Sequence, residues 1–471
     1  MIRYLSSLLA LCAAVAVAAP AWAAQPATMR LDYLHSGNAQ EEHYAVERVV
    51  VEPLPWPGSM AQTIDNTNRG NNLVEVSDAK SGQLLYSRGF STVFAEWRST
   101  EEAAHANRGF QESVRFPRPE QPVKVTILKR DDSNRFVPVW TADVDPNAMD
   151  VIRKQPPEPV KPIAIRVNGP SPDKVDLLIV GDGYTKRDMK KFEAAARRLA
   201  DHLFATSPFK ERAKDFNVWA IALPTSESGV SRPSTGVHKE SPLGARYDIF
   251  GSERYVLTTD NRALRELAQY APYEFIEILV NNDTYGGGGI FGQFSTAAAD
   301  NDWANYLFVH EFGHHFAGLA DEYYTSPVAY ATGGERREPW EPNATALQDP
   351  ANIKWKKFVK QGTPLPTPWP KLAYETASRA YQKERAALRA ANRPESEMSA
   401  LFKRDLVSSS ALFTPDPQRH TVGAFEGANY EATGYYRPEM QCIMFDRSDT
   451  FCSVCADAIS TIIDLYAAPK H

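Results

Sequence analysis

The chain has 471 residues, 43% of them hydrophobic and 23% charged, which is globular composition with room for two or three domains. The net charge of -6 has no block of Lys and Arg set against it, so nucleic acid is excluded as an expected partner.

Residues 1–23 read as a secretory signal. Arg3 gives a positive start, 5–19 is an apolar run, and Ala21-Trp22-Ala23 fits a small-x-small cleavage site just after Pro20. The mature chain is then exported, periplasmic or extracellular. No later stretch is long and apolar enough to span a bilayer, so no stable membrane insertion is expected. Export favours a disulfide from Cys442 to Cys452 or Cys455, the three cysteines left in the mature chain. A small metal site among them is the weaker alternative.

Residues 24–150 read as an all-β, sandwich-like domain. Strands are predicted at 46–52, 83–87, 123–128 and 136–140, where apolar residues alternate between turn residues. Nothing in this part has catalytic spacing, so a folding or positioning role is expected, with substrate binding as the alternative. A proline-dense linker at 151–164 follows.

Residues 165–471 alternate strand and helix. Apolar strands at 175–181, 216–222 and 275–280, with helices at 186–205 and 262–270, predict a mainly parallel sheet with helices packed on it. Gly286-Gly287-Gly288-Gly289 reads as a flexible turn into an exposed edge strand, which an extended peptide could join by backbone hydrogen bonds. A phosphate-binding loop is the rival, but no Lys-Ser/Thr pair follows. Helices are then predicted at 303–319, in a charged insertion at about 372–404, and at 454–465.

The helix at 303–319 carries His310-Glu311-Phe312-Gly313-His314. Histidines four residues apart share one helix face, so His310 and His314 can grip one Zn2+, and Glu311 can take a proton from a zinc-bound water. His315 points to another side and is expected to pack or hydrogen-bond locally. A catalytic zinc needs a third protein ligand and one open position. Gly318 can leave the helix with positive φ and turn the chain back, which brings Asp321 to the metal; on a straight helix Asp321 would be about 10 Å too far along the axis. Two other possibilities stay open. Asp321 and Glu322 could orient the histidines from outside the ligand set, or Glu335, Glu338 or Glu341 could complete it. These residues point to a zinc hydrolase with Glu311 as general base. Tyr435 or Tyr436 could add a hydrogen bond to the oxyanion. Competing functions are an exported binding or adhesion protein with a structural zinc, and a zinc amidase acting on cell-wall peptide.

The arrangement resembles the metzincin zinc peptidases, whose pattern is His-Glu-x-x-His-x-x-Gly-x-x-His. Here the glycine comes one residue late and aspartate replaces the last histidine. Metzincins carry a methionine turn beneath the metal, and Met444 within 441–445 has that look. The fuller string 309–324, together with 362–368, 425–428, 436–438 and 451–455, is similar to the M64 peptidase family, and Met29 to Tyr33 with Glu96-Trp97 resembles that family's N-terminal β domain. The resemblance implies an α/β (α+β) metzincin-like zinc peptidase domain preceded by the β domain, and a secreted zinc endopeptidase acting on a protein or peptide substrate. It does not imply that IgA is the substrate.

Overall fold

The structure is a computed structural model that describes residues 25–328 and 336–467. The segment read as a signal, and Glu335, lie outside the described residues.

The N-terminal part is β-rich. Its strands are β1 (Ala27–Gly37), β2 (Glu42–Pro55), β3 (Asn72–Asp78), β4 (Leu84–Phe90), β5 (Arg108–Pro117), β6 (Val123–Arg130) and β7 (Phe136–Val144), with a short helix α1 (Val93–Arg98) between β4 and β5. They form two antiparallel sheets, ordered β2-β1-β5 and β4-β3-β6-β7. Period-two alternation turns Met29, Leu31 and Tyr33 of β1 towards Val123, Val125 and Ile127 of β6, and these residues share one hydrophobic core. The opposite face of β1 is also buried, but it is charged. Arg30 pairs with Asp32 at 2.8 Å and with Glu52 at 2.9 Å. It also donates to the carbonyl of Arg265, 235 residues away, and Asn261 donates to Ser113 at 2.7 Å. This face of β1 therefore lies against a helix from the second half of the chain.

The second half holds a six-stranded sheet built from β8 (Ile163–Arg166), β9 (Val175–Asp182), β10 (Phe216–Ala222), β11 (Phe275–Val280), β12 (Gly287–Ile290) and β13 (Phe294–Ala298), in the order β12-β13-β11-β9-β10-β8. The four inner strands are parallel, and the two outer strands are antiparallel to their neighbours. Every residue of β9 and β11 is buried, as expected for strands covered on both faces. Helix α2 (Met189–Leu203) buries Phe192, Ala195, Ala196, Leu199, Ala200 and Leu203, one stripe at helical spacing. Helix α3 (Asn261–Ala268) is the one that meets β1. Helix α4 (Ala304–Ala317) carries the histidine motif and is buried on most sides, packed on β12 and β13.

The charged stretch expected at 372–404 is two helices, α5 (Lys371–Ala390) and α6 (Glu395–Phe413). Pro394 disfavours helical backbone at Arg393, and Asn392 takes φ 47°, so the chain turns there. The hairpin β14 (Phe425–Ala428) and β15 (Glu431–Arg437) and the last helix α7 (Ser453–Tyr466) complete the chain. Among the described residues, no helix is long and apolar enough to cross a membrane.

The glycines before α4 do not make a flexible turn. They form β12, which is the edge of the sheet but is largely buried, and Gly287 is bridged on its outer side to Tyr255. Their φ values are ordinary; what requires glycine is close approach to α4. A Cβ on Gly289 would lie 2.4 Å from the carbonyl oxygen of Glu311, and one on Gly287 would lie 2.9 Å from Glu311 Cγ. Gly289→Ala should therefore push β12 off the helix and cost about 1–3 kcal/mol. Calorimetry should show a lower Tm; an unchanged Tm would mean that the two elements are not held this close.

Candidate active site

Helix α4 ends where a glycine can take the left-handed conformation. Gly318 has φ 61° and ψ 39°, and its N–H donates to the carbonyl of His314 at 3.0 Å. The chain turns back there and brings Asp321 over the histidines. Asp321 Oδ1 lies 3.1 Å from His310 Nε2 and 3.3 Å from His314 Nε2, and the two nitrogens are 3.2 Å apart.

The opposite ring nitrogens fix the tautomers. His310 Nδ1 is 3.0 Å from the carbonyl of Ile443, and His314 Nδ1 is 2.6 Å from the carbonyl of Leu319. A carbonyl only accepts, so each Nδ1 carries the proton and each Nε2 lone pair faces Asp321. Among the described residues, no group donates a hydrogen bond to the buried Asp321 Oδ1. Three acceptor atoms thus converge on one point, an arrangement that requires a cation or an added proton. Without a metal the proton goes to a histidine. Burial opposes that charge, but Asp321 outweighs burial and pushes His314 up to about 9. Burial likewise opposes the Asp321 charge, and His314 and His310 still hold its carboxyl well below the usual range. A tetrahedral zinc shell with ligands at about 2.0–2.1 Å has edges of about 3.3 Å, so the donor set fits such an ion.

Glu311 lies between the histidines in sequence and beside them in space. Its side chain rests on Gly287 and faces a cleft of about 730 Å3. Burial raises its carboxyl pKa, while His310 and His314 work against that rise. Asn71, Ser91 and Glu96 from the N-terminal part line the same cleft, as do Tyr381 and Asp405 from α5 and α6.

The family described as IgA Peptidase M64 matches residues 163–463, and the one described as Peptidase M64 N-terminus matches residues 22–141. The chain belongs to the IgA peptidase M64 family. No curated protein matches it. Membership makes the chain a peptidase with protein as its class of substrate, and the clustered residues that could hold a metal ion accord with a metallopeptidase.

In this M64 peptidase the other candidates separate clearly. His315 faces away from the cluster: its Nδ1 lies 3.1 Å from the carbonyl of Ile290 and its Nε2 accepts from the Ile276 N–H, so it ties β12 to β11, and burial drives its pKa down to about 3. Glu338 pairs with Lys354 at 3.0 Å, and neither it nor Glu341 is in the donor cluster. Glu322 turns the other way, to Asn343 and the cysteines. Met444 is fully buried in a tight turn, with its Sδ 3.1 Å from where a Cβ on Gly313 would be. Tyr435 lines the cleft and accepts from the Arg337 N–H at 3.2 Å, whereas Tyr436 does not line it and pairs by backbone with Thr345. The expected disulfide is not formed. Cys442, Cys452 and Cys455 are all free, and Cys442 Sγ and Cys455 Sγ are 3.7 Å apart.

Two residues of the site carry no signal in the motif. Tyr430 donates to Asp321 Oδ2 at 2.6 Å, aimed by positive φ at Asn429 (52°) and at Tyr430 itself (65°). Asn429, a residue that tolerates that conformation, and Gly427 before it are the sequence hints of a turn there. Arg254 donates to the Tyr323 hydroxyl at 3.0 Å, and the Tyr323 ring lies nearly parallel to that of His310.

Proposed function

We propose that this M64 peptidase is an exported, zinc-dependent endopeptidase in which His310, His314 and Asp321 hold the metal and Glu311 is the general base. The observation that carries this reading is the convergence of three lone-pair donors, separated by 3.1–3.3 Å, on the floor of an open cleft with a buried carboxyl beside them. When bound there, zinc supplies Lewis acidity to a substrate carbonyl and acidifies water.

The chain's own residues do the rest. Glu311 takes a proton from the attacking water and returns it to the leaving amine; a carboxyl raised by burial is better matched to both transfers than an exposed one. Ile443 and Leu319 carbonyls hold the two imidazoles in the tautomer that leaves each Nε2 free to bind. Tyr435, on the cleft wall, is the candidate donor to the oxyanion. The substrate is an extended polypeptide held in the cleft that Glu311 faces. Export rests on the pattern of residues 1–23.

The test is a mixed peptide library digested with and without chelator and profiled by mass spectrometry. Cleavage at internal bonds, lost with chelator and restored by zinc, is the expected result; cleavage that persists in chelator would overturn it. Tyr430→Phe should lower zinc affinity by about 10–100-fold, because it removes the hydrogen bond that orients Asp321. Competition with a chromogenic chelator measures this, and an unchanged affinity would place Tyr430 outside the metal's support.

A further inference from the structure

Three thiols and a carboxyl meet under the turn that carries Met444. Cys442 opens the turn: its carbonyl accepts from the N–H groups of Phe445 and Asp446 at 2.9 and 3.0 Å. Cys452 and Cys455 are three residues apart at the N-terminus of α7, and Glu322 follows Asp321 directly. All four are buried, and one ligand atom from each lies within 4.8 Å of all the others.

The spacing and the hydrogen bonds favour a metal. A tetrahedral shell with Zn–S at about 2.3 Å puts neighbouring sulfurs about 3.8 Å apart, whereas a disulfide needs about 2.05 Å. The observed Cys442–Cys455 separation is 3.7 Å. Two sulfurs already accept backbone N–H bonds: Cys452 N–H donates to Cys442 Sγ at 3.3 Å and Cys455 N–H to Cys452 Sγ at 3.4 Å. Such bonds stabilise sulfur as thiolate, the form that binds metal. Glu322 Oε1 takes a hydrogen bond from Asn343 at 2.9 Å and lies 3.4 Å from Cys455 Sγ. Its Oε2 has no hydrogen-bond partner among the described residues, although the side chain is fully buried. A buried carboxyl oxygen left unpaired is costly unless a cation meets it.

We propose that Cys442, Cys452, Cys455 and Glu322 form a second metal site, closed and structural, that takes a divalent cation of the zinc class. Four protein ligands leave no open position for water or substrate, which separates this site from the histidine cluster. Asp321 and Glu322 are consecutive and face opposite ways, one to each cluster. Glu322 N–H also donates to the Met444 carbonyl at 2.8 Å. The second metal thus clamps the segment that delivers Asp321 to the turn beneath His310 and to the start of α7.

The test uses the full chain, purified without reductant or chelator. Metal is counted by mass spectrometry, and Cys442, Cys452 and Cys455 are mapped by alkylation in denaturant with chelator. Two zinc ions per chain and all three thiols alkylated without reductant are the expected result. Cobalt-loaded protein should show thiolate-to-cobalt charge-transfer absorption in the near ultraviolet, and the His310→Ala/His314→Ala variant should lose one metal while keeping that band. A Cys442–Cys455 disulfide, or three free thiols with no charge-transfer band in the unmutated protein, overturns the proposal. Failure of the histidine site would leave the band in place, so the two readings fail separately.

Discussion

Glu311→Gln should reduce turnover of an internally quenched peptide by about 10²–10⁴-fold, the range expected when a general base is removed. Zinc content should not change, because none of the three donor atoms belongs to Glu311. The fold should not weaken either. Gln has the same shape, and burial already disfavours the Glu311 charge, so the Tm is expected to stay level or rise slightly. These three readouts together separate a catalytic role from a structural one. Turnover equal to that of the parent would overturn the assignment. A loss of zinc along with activity would show that Glu311 supports the metal rather than the proton transfer.

The elements that sequence reasoning located best are those with one dominant pattern. The apolar stripe of α2 repeats at helical spacing, and β6 alternates from Val123 to Ile127, so each announces its own geometry. The two histidines also needed nothing beyond helical geometry to be paired. Gly318 and Asp321 were legible because positive φ at a glycine is the one way to bring that carboxyl back within reach.

Other features depend on contacts that no local pattern encodes. The glycines of β12 look like flexible chain in sequence, and only the proximity of Glu311 shows that they permit close packing. Arg30 and Asp32 look like solvent-facing residues of a strand, yet they are buried because α3 covers that face of β1. The residues of α1 join the core of the second half, so the cleft wall at Glu96 could not be assigned from the first half alone. Tyr430 reaches Asp321 across 109 residues of sequence, through a hairpin marked only locally, by Gly427 and Asn429. For the cysteines, counting pointed to a disulfide; the fourth partner, Glu322, comes from a segment 120 residues before Cys442 and becomes visible only once the chain is folded.

Asp321→Ala is expected to have the larger effect on the metal itself. Removing the carboxylate leaves two neutral imidazoles, a ligand set short of the three that a catalytic zinc site uses. Zinc at the histidine site should be lost, and with it Lewis acidity worth several kcal/mol, so turnover should fall by about three orders of magnitude or more. Asp321→Asn is the sharper form of the test. Its amide keeps the shape and can still accept from Tyr430, but it brings no negative charge to the point where His310 and His314 converge. If charge is what completes the site, Asn should lose zinc nearly as fully as Ala in metal analysis of the purified variants. If orientation of the histidines were the main role, Asn should keep it. Loss of zinc from Glu341→Gln with Asp321→Asn still loaded would move the third ligand downstream; against that stands the 3.1 Å approach of Asp321 to His310, while Glu341 lines the cleft outside the donor cluster.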